Sequence, residues 1–290
     1  MKYQINHETR YKASNRVSVC HNTAWLKPRN TPVQTLERHQ LSVTPKMSTE
    51  HRYDDYFGNH VTHFSFNEGY EELQVVASSL VDVVEDQSVT VRSPKWETIV
   101  ERLESHVTPS DLDALQFRFD SQRSHRSDEA AEFARPSFQK GAPILEAVID
   151  LTSRVHQEFE YDAKATSVGT PVAEVLQNRR GVCQDFAHAQ IAMLRSLGLA
   201  ARYVSGYVRT YPPEGEPRLI GADASHAWLS VYCGELGWID VDPTNDKLVG
   251  HEHITVAWGR DYADVTPLKG VYTGGGLLSL DVAVSVTPTP

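Results

Sequence analysis

Cysteine is scarce in this 290-residue chain: Cys20, Cys183 and Cys233 are the whole complement. An odd set of three does not build the disulfide framework of a small secreted domain. Long apolar runs are missing as well. No stretch of about 18 apolar residues occurs, so a transmembrane helix is not expected. The opening MKYQINHETRYKAS lacks the apolar segment of a secretory signal. Basic blocks are absent, and 28 Lys and Arg stand against 38 Asp and Glu, a net charge of -10. An acidic surface repels phosphate backbones, so nucleic acid is not an expected partner. HExxH and DxDxDG patterns are also lacking, which removes the commonest zinc and calcium signatures. Together these absences predict a cytoplasmic protein with no membrane partner, no metal and no other cofactor. A reducing compartment would keep a thiol usable.

What is there is enough for two domains. With 40% hydrophobic and 23% charged residues, the composition is that of an ordinary soluble globular protein. Residues 1–92 read as a β-rich domain. Short β-branched or alternating runs recur at 3–9, 40–44, 61–66, 72–76 and 81–84, with turn residues between them. Residues 93–142 read as a connecting segment, with a short helix over 96–103, a polar loop over 121–128 and a proline-bearing link over 135–143. Residues 143–275 read as a core that opens on a helix. Ile144, Leu145, Val148, Ile149, Thr152, Val155 and Phe159 follow helical spacing. After a polar loop over 162–169, Thr170 and Pro171 resemble an N-cap and first helical position, for a helix running to about Arg180. A further helix starts at Val182 and Cys183 and ends at Gly198. Strands are expected over 201–209, 226–233 and 238–242, with a turn-rich loop at 212–217. Residues 276–290 are a C-terminal strand and tail.

The chemistry gathers at Cys183, in RRGVCQDFAH. A thiol at a helix start meets unpaired backbone N–H groups and the positive end of the helix dipole, which favour a thiolate. The same N–H groups suit an oxyanion. Arg179 and Arg180 just upstream add positive potential, or are simply a solvated charge pair. A thiolate nucleophile needs a base or ion-pair partner, and His226 in DASHAWLSVY stands at the start of a strand. A carboxylate must then orient the imidazole. Asp242 ends the next strand, in GWIDVDPTN, and the 242 − 226 = 16 residue separation suits a hairpin. Asp240 shares its strand parity and is the rival.

In this order, RRGVCQDFAH, LRSLGLAARYVSGYV, DASHAWLSVY and GWIDVDPTN resemble the core of the transglutaminase-like superfamily, over about residues 140–270. Residues 1–90 resemble the β-rich N-terminal domain of its bacterial members, of the cysteine-protease type. The resemblance implies an α+β fold: a papain-like transglutaminase core, with helices packed on an antiparallel sheet, after a β-rich domain. It implies acyl chemistry through a thioester, with Cys183 as nucleophile, His226 as base and Asp242, in its matching Asp-Pro-Thr, as orienting acid. The chain departs from the animal members in one respect. They place a tryptophan upstream of the nucleophile as an oxyanion donor, whereas the nearest one here is Trp96, 183 − 96 = 87 residues away.

Plainer readings stand beside these. Cys183 could be a buried structural thiol, as Cys20 and Cys233 are expected to be. His188, five residues beyond Cys183, reads as structural. His251 and His253 in GHEHI suggest metal only weakly. Tyr207, Asp261 and Tyr262 are read first as packing, as are Trp228, Tyr232 and Trp238. The expected function is hydrolysis of amide or peptide bonds in a peptide or protein substrate. The alternatives are true transamidation and a non-catalytic binding module on the same fold.

Overall fold

The computed structural model describes residues 1–84, 93–210 and 225–289. The expected loop at 212–217 lies outside them. The chain opens on β1 (Lys2–Ala24), β2 (Gln34–Thr44), β3 (Thr49–Asp54), β4 (His60–Phe66) and β5 (Tyr70–Val83), paired antiparallel in the order β2-β5-β1-β4-β3. In β5 the residues Leu73, Val75, Ala77, Ser79, Val81 and Val83 alternate inward without a break. The two short strands expected there are therefore one. β1 is also far longer than its expected 3–9. Through its polar Ser14-Asn15-Arg16 the Ser14 and Asn15 N–H groups donate to the Leu277 and Gly275 carbonyls, so the strand continues.

The next stretch is not a connector. It holds α1 (Trp96–Ser105), α2 (Pro109–Leu115) and α3 (Asp128–Ala134). Ile99, Leu103, Ala114, Phe117, Ala130 and Ala134 join the main hydrophobic core. Thr108 and Asp111 cap α2 reciprocally: the Asp111 N–H donates to Thr108 Oγ1 at 3.2 Å and the Thr108 N–H to Asp111 Oδ2 at 2.9 Å. Ser127 caps α3. Seven residues each are too short to show a period.

The core continues with α4 (Ile144–Glu158), β6 (Glu160–Tyr161), α5 (Val172–Asn178), β7 (Arg180–Gly181) and α6 (Cys183–Ser196). α5 differs from expectation at both ends. Its N-cap is Pro171, and it stops at Asn178 because Arg179 turns left-handed at φ 50°. Arg180 and Gly181 then pair in parallel with β6. α6 carries more than one apolar face. Phe186 through Leu194 are all buried, against β8, β9, α3, α4 and α5. Its polar members have partners: Gln190 Nε2 donates to Thr152 Oγ1, and Arg195 donates to the carbonyls of Phe117, Ala201 and Arg260.

The second sheet is β8 (Ala201–Val208), β9 (Ser225–Tyr232), β10 (Trp238–Asp242), β11 (Lys247–Leu248) and β12 (His253–Gly259), in the antiparallel order β11-β10-β9-β8-β12. β13 (Leu268–Gly274) and β14 (Leu278–Thr289) return to the first sheet. β14 lies along residues 2–13 of β1 and β13 along residues 17–24. The core segment expected to reach residue 275 thus gives its last strand to the N-terminal sheet. The C-terminal strand is built into that sheet as well.

The two sheets meet along the free edge of β12. Gln34 Oε1 accepts the Thr255 N–H at 2.8 Å, and Gln34 Nε2 donates to the Thr255 carbonyl at 2.8 Å. Asn59 does the same for Trp258, at 2.9 and 2.8 Å. Two side-chain amides thus stand in for a neighbouring strand. Tyr3, Ile5, Val81 and Val83 extend the main core into the first sheet. Gln34→Leu or Asn59→Leu leaves a buried N–H unpaired, with an expected cost of about 1–3 kcal/mol each. Urea unfolding measures this. A loss below a few tenths would mean that the edge needs no cap.

Candidate active site

Cys183 is the first residue of α6 and is half-buried. Its setting depends on Gly181 and Asp185. The Asp185 carboxylate turns back to accept the Val182 N–H at 2.9 Å and the Thr166 hydroxyl at 2.6 Å. A Cβ on Gly181 would lie 2.6 Å from that same oxygen, so only glycine leaves room for the cap. The Asp185 and Phe186 N–H groups reach the Val182 carbonyl. Cys183 and Gln184 occupy the positions whose N–H groups have no carbonyl one turn back. Tyr203 and Tyr161 stand close enough to feel charge on the thiol. Burial raises both phenols, and Cys183 adds to the rise.

His226 sits near the start of β9, opposite Gly206 of β8. A Cβ on Gly206 would lie 2.4 Å from the Trp228 ring. The glycine therefore lets Trp228 lie across β8, with its ring centroid 6.1 Å from that of His226. His226 Nε2 donates to Asp242 Oδ2 at 2.7 Å, and Cys183 lies close enough to the ring to help raise its pKa. The structure thus pairs His226 with Asp242 and leaves Cys183 near enough to act on the His226 ring.

Asp242 ends β10 and is fully buried. Its Oδ1 accepts the N–H groups of Thr244 and Asn245 at 2.9 and 3.2 Å, the local turn that aspartate makes with its own backbone. Its Oδ2 accepts from His226, from Asn245 Nδ2 at 2.6 Å and from His253 Nε2 at 3.0 Å. α4 secures the turn: the His156 ring bonds the Thr244 carbonyl, and Ser153 donates to Asp246. The rival, Asp240, is used elsewhere, accepting Trp228 Nε1 at 3.0 Å and the Ser230 hydroxyl.

The electrostatics follow from this arrangement. Burial pushes Asp242 toward its neutral form, but the donors from His226, His253 and Asn245 outweigh it and hold the carboxyl well below the usual range. Burial likewise pushes His226 down. The hydrogen bonds and charges of Asp242 and Cys183 outweigh that and raise it to about 10.

Asn245 and His253 were not found from the sequence as site residues. Asn245 was within reach, three residues beyond Asp242 in DPTN. His253 was not, because β12 and β10 are separated by β8 and β9. In a flat sheet three spacings of about 4.8 Å would hold them about 14 Å apart. The 3.0 Å contact means that the sheet curls around the carboxylate. His226, Asp242 and His253 offer ligand atoms within 4.8 Å of one another and could hold a divalent cation. An ion there would take the lone pairs that both rings gain by giving up their N–H donors to Asp242.

Other candidates stand apart. Cys20 is buried and accepts from Asn22, and burial pushes the Cys233 thiol up to about 12. His188 Nε2 accepts the Tyr262 N–H, and Tyr207 bonds His7 between the sheets. Arg179 pairs with Glu158, and Arg180 with Glu160 and Asp162, so the positive potential expected upstream of Cys183 is largely cancelled. Trp96 Nε1 is taken by the Gln139 carbonyl and supplies no oxyanion donor.

Comparison with known proteins gives the class. Residues 131–243 match the model of the transglutaminase-like superfamily, and residues 3–82 match that of the bacterial transglutaminase-like N-terminal region. The chain belongs to the transglutaminase-like superfamily. Within it the chain joins this core to the N-terminal region described for bacterial members. An uncharacterised protein of Mycobacterium tuberculosis is 39% identical over 99% of this chain and 93% of its own length. A presumed cysteine protease from Cytophaga hutchinsonii has the same fold, with a TM-score of 0.76 at 24% identity over 100% of this chain and 92% of its own. A protein-glutamine gamma-glutamyltransferase of Pseudomonas aeruginosa is 34% identical over 92 residues, 31% of this chain and 14% of that one.

The shifts predict a pH window. A raised His226 adds stability that is complete below about pH 6.5 and fades as pH rises toward 10. A lowered Asp242 adds stability that is present above about pH 3.8 and is lost only well below it. Asp242→Asn should therefore cost about 3 kcal/mol near pH 6, and the deficit should shrink toward pH 10. Chemical denaturation across that range measures it. A deficit constant from pH 6 to 10 would separate the His226 charge from Asp242.

Proposed function

We propose that the chain is a thiol enzyme that cleaves amide or peptide bonds, with Cys183 as nucleophile, His226 as acid and base, and Asp242 as the group that orients His226. One observation carries this reading: a single imidazole is hydrogen-bonded to a fully buried carboxylate, and a half-buried thiol at a helix start lies close enough to act on that ring. The thiolate sulfur attacks the amide carbon and the carbonyl electrons move onto oxygen, beside the first N–H groups of α6. Collapse expels the amine, which takes a proton from the His226 imidazolium, and leaves a thioester. His226 then takes a proton from water, the hydroxide carbon–oxygen bond forms, and the sulfur departs with the acid released. The substrate is a peptide or protein. The acidic surface suits no nucleic acid, and three free thiols suit a reducing, cytoplasmic compartment.

A second reading replaces water by an amine at the thioester, giving transamidation. The likeness of 92 residues to a gamma-glutamyltransferase favours it. The chemistry to that point is the same, so the test must separate the acceptors. A mixed peptide library, incubated with and without a primary amine and read by mass spectrometry, should give new termini in both arms if the enzyme hydrolyses. Amine adducts in the second arm would mark a transferase. Cys183→Ala should abolish the product, and His226→Ala should slow it on the order of 10²–10⁴-fold. Product formed by Cys183→Ala at the parent rate would sink both readings. A clean library with a freely reactive Cys183 would favour a binding module.

A further inference from the structure

Asp242 Oδ2 takes an N–H donor from each of two histidines, and only one of them faces Cys183. The other, His253, is the first residue of β12 and is buried. Its Nε2 lies 3.0 Å from Asp242 Oδ2, and its Nδ1 is buried with no hydrogen-bond partner. The ring stands edge-on to Trp228, with centroids 5.2 Å apart at 80°. Trp228 is itself tied by Nε1 to Asp240. On its remaining side His253 borders a cavity of about 590 Å³ that also touches Gln34, Arg202, Trp238 and Trp258.

A ring nitrogen buried without a partner costs stability, and a residue kept only to fill this space would be apolar, like its neighbours Ile254 and Val256. The geometry also fixes the tautomer. A proton on Nε2 is used by Asp242, whereas a proton on Nδ1 would be a stranded donor. His253 is therefore a fixed donor, unlike His226, which must pass a proton to and fro.

We propose that His253 is a positioning residue for the reaction: it holds Asp242 Oδ2 in place, so that the carboxylate stays aligned with His226 while His226 changes charge. The proposal rests on the reading of Cys183, His226 and Asp242 as the reacting set. It also gives the N-terminal sheet a part in the chemistry. Gln34 and Asn59 fix the edge of β12, β12 carries His253, and His253 reaches Asp242.

The test uses the full chain and iodoacetamide, with the labelled cysteine identified by mass spectrometry. His253→Phe keeps a ring beside Trp228 and removes the donor. His253→Gln keeps an N–H near the Nε2 position. At pH 7 the phenylalanine variant should label Cys183 about tenfold more slowly, the equivalent of one pKa unit in the thiolate pair. The glutamine variant should stay within about threefold of the parent. Thermal unfolding reports how far each variant is destabilised. If both variants label at the parent rate, or the glutamine variant is as slow as the phenylalanine one, the positioning role is overturned. Nitrogen-15 spectra of the histidine rings give an independent readout: a proton on Nε2 alone supports the proposal, and one on Nδ1 overturns it. His226→Ala separates the two failures, since it leaves His253 on Asp242. Labelling of that variant at the parent rate would overturn the reacting set itself.

Discussion

A carboxylate with no solvent exposure sits at the end of a strand, and the rest of the site is arranged to keep it ionised. Removing a charge from water costs several kcal/mol even after relaxation, so an unpartnered Asp242 would simply take up a proton. Five hydrogen bonds prevent this. They come from three places in the chain: the turn just after β10, the start of β9 and the start of β12. Each donor group is thereby fixed in turn. The turn must close tightly enough for Thr244 and Asn245 to face Oδ1, and the sheet must curl until β12 meets β10. One electrostatic demand sets the shape of the sheet.

The thiol is held by different means. α6 is buried nearly all round, which leaves its axis little freedom, and its first turn is fixed by Asp185 and Gly181. Cys183 therefore stands on a firmly held mount, and on the proposed reading the His226 imidazole is the group that passes protons. The N-terminal sheet contributes at a distance. By capping the free edge of β12 with two amide side chains, it turns what would be an exposed strand into a fixed wall. Loss of that sheet would free β12 and with it His253.

Much of this was legible in the sequence where the signal is local. The helix start at Cys183, the hairpin of β9 and β10, and the aspartate before Pro243 all depend on residues within about one turn or one hairpin of each other. The transglutaminase-like core and its β-rich companion were legible from ordered motifs. What was missed has a common cause. α2 and α3 are too short to show a period, although Thr108-Pro109-Ser110-Asp111 spells a capping box. β1 runs far past its expected end at residue 9 because the sequence does not reveal the carbonyls of 275 and 277 that accept from Ser14 and Asn15. Leu268–Gly274 reads as the end of the core, and Leu278–Thr289 as a separate strand and tail, because strand partners at the other end of the chain leave no local trace. His253 is the same problem at the scale of one side chain. At Arg179 and Arg180 the charges were visible but not the carboxylates that cancel them, so the solvated-pair reading fits better than the added potential.

The graded burial across the three residues has a consequence for the chemistry. Cys183 is half-buried, His226 is about 9% exposed and Asp242 is at 0%. On the reading proposed above, a substrate approaches from the end where the sulfur is. At that end charge must form and disappear with each step, so some exposure and a set of free backbone N–H groups are useful. At the far end charge must never change, so full burial with saturated hydrogen bonding is the better environment. An imidazole lying between the two can take and return a proton without Asp242 following, because protonating that carboxylate would break donors on both of its oxygens. On that reading the same gradient explains why acceptor choice, water or amine, is not written into the three residues: it would be decided at the open end, by what reaches the proposed thioester, while the buried end would serve either outcome equally.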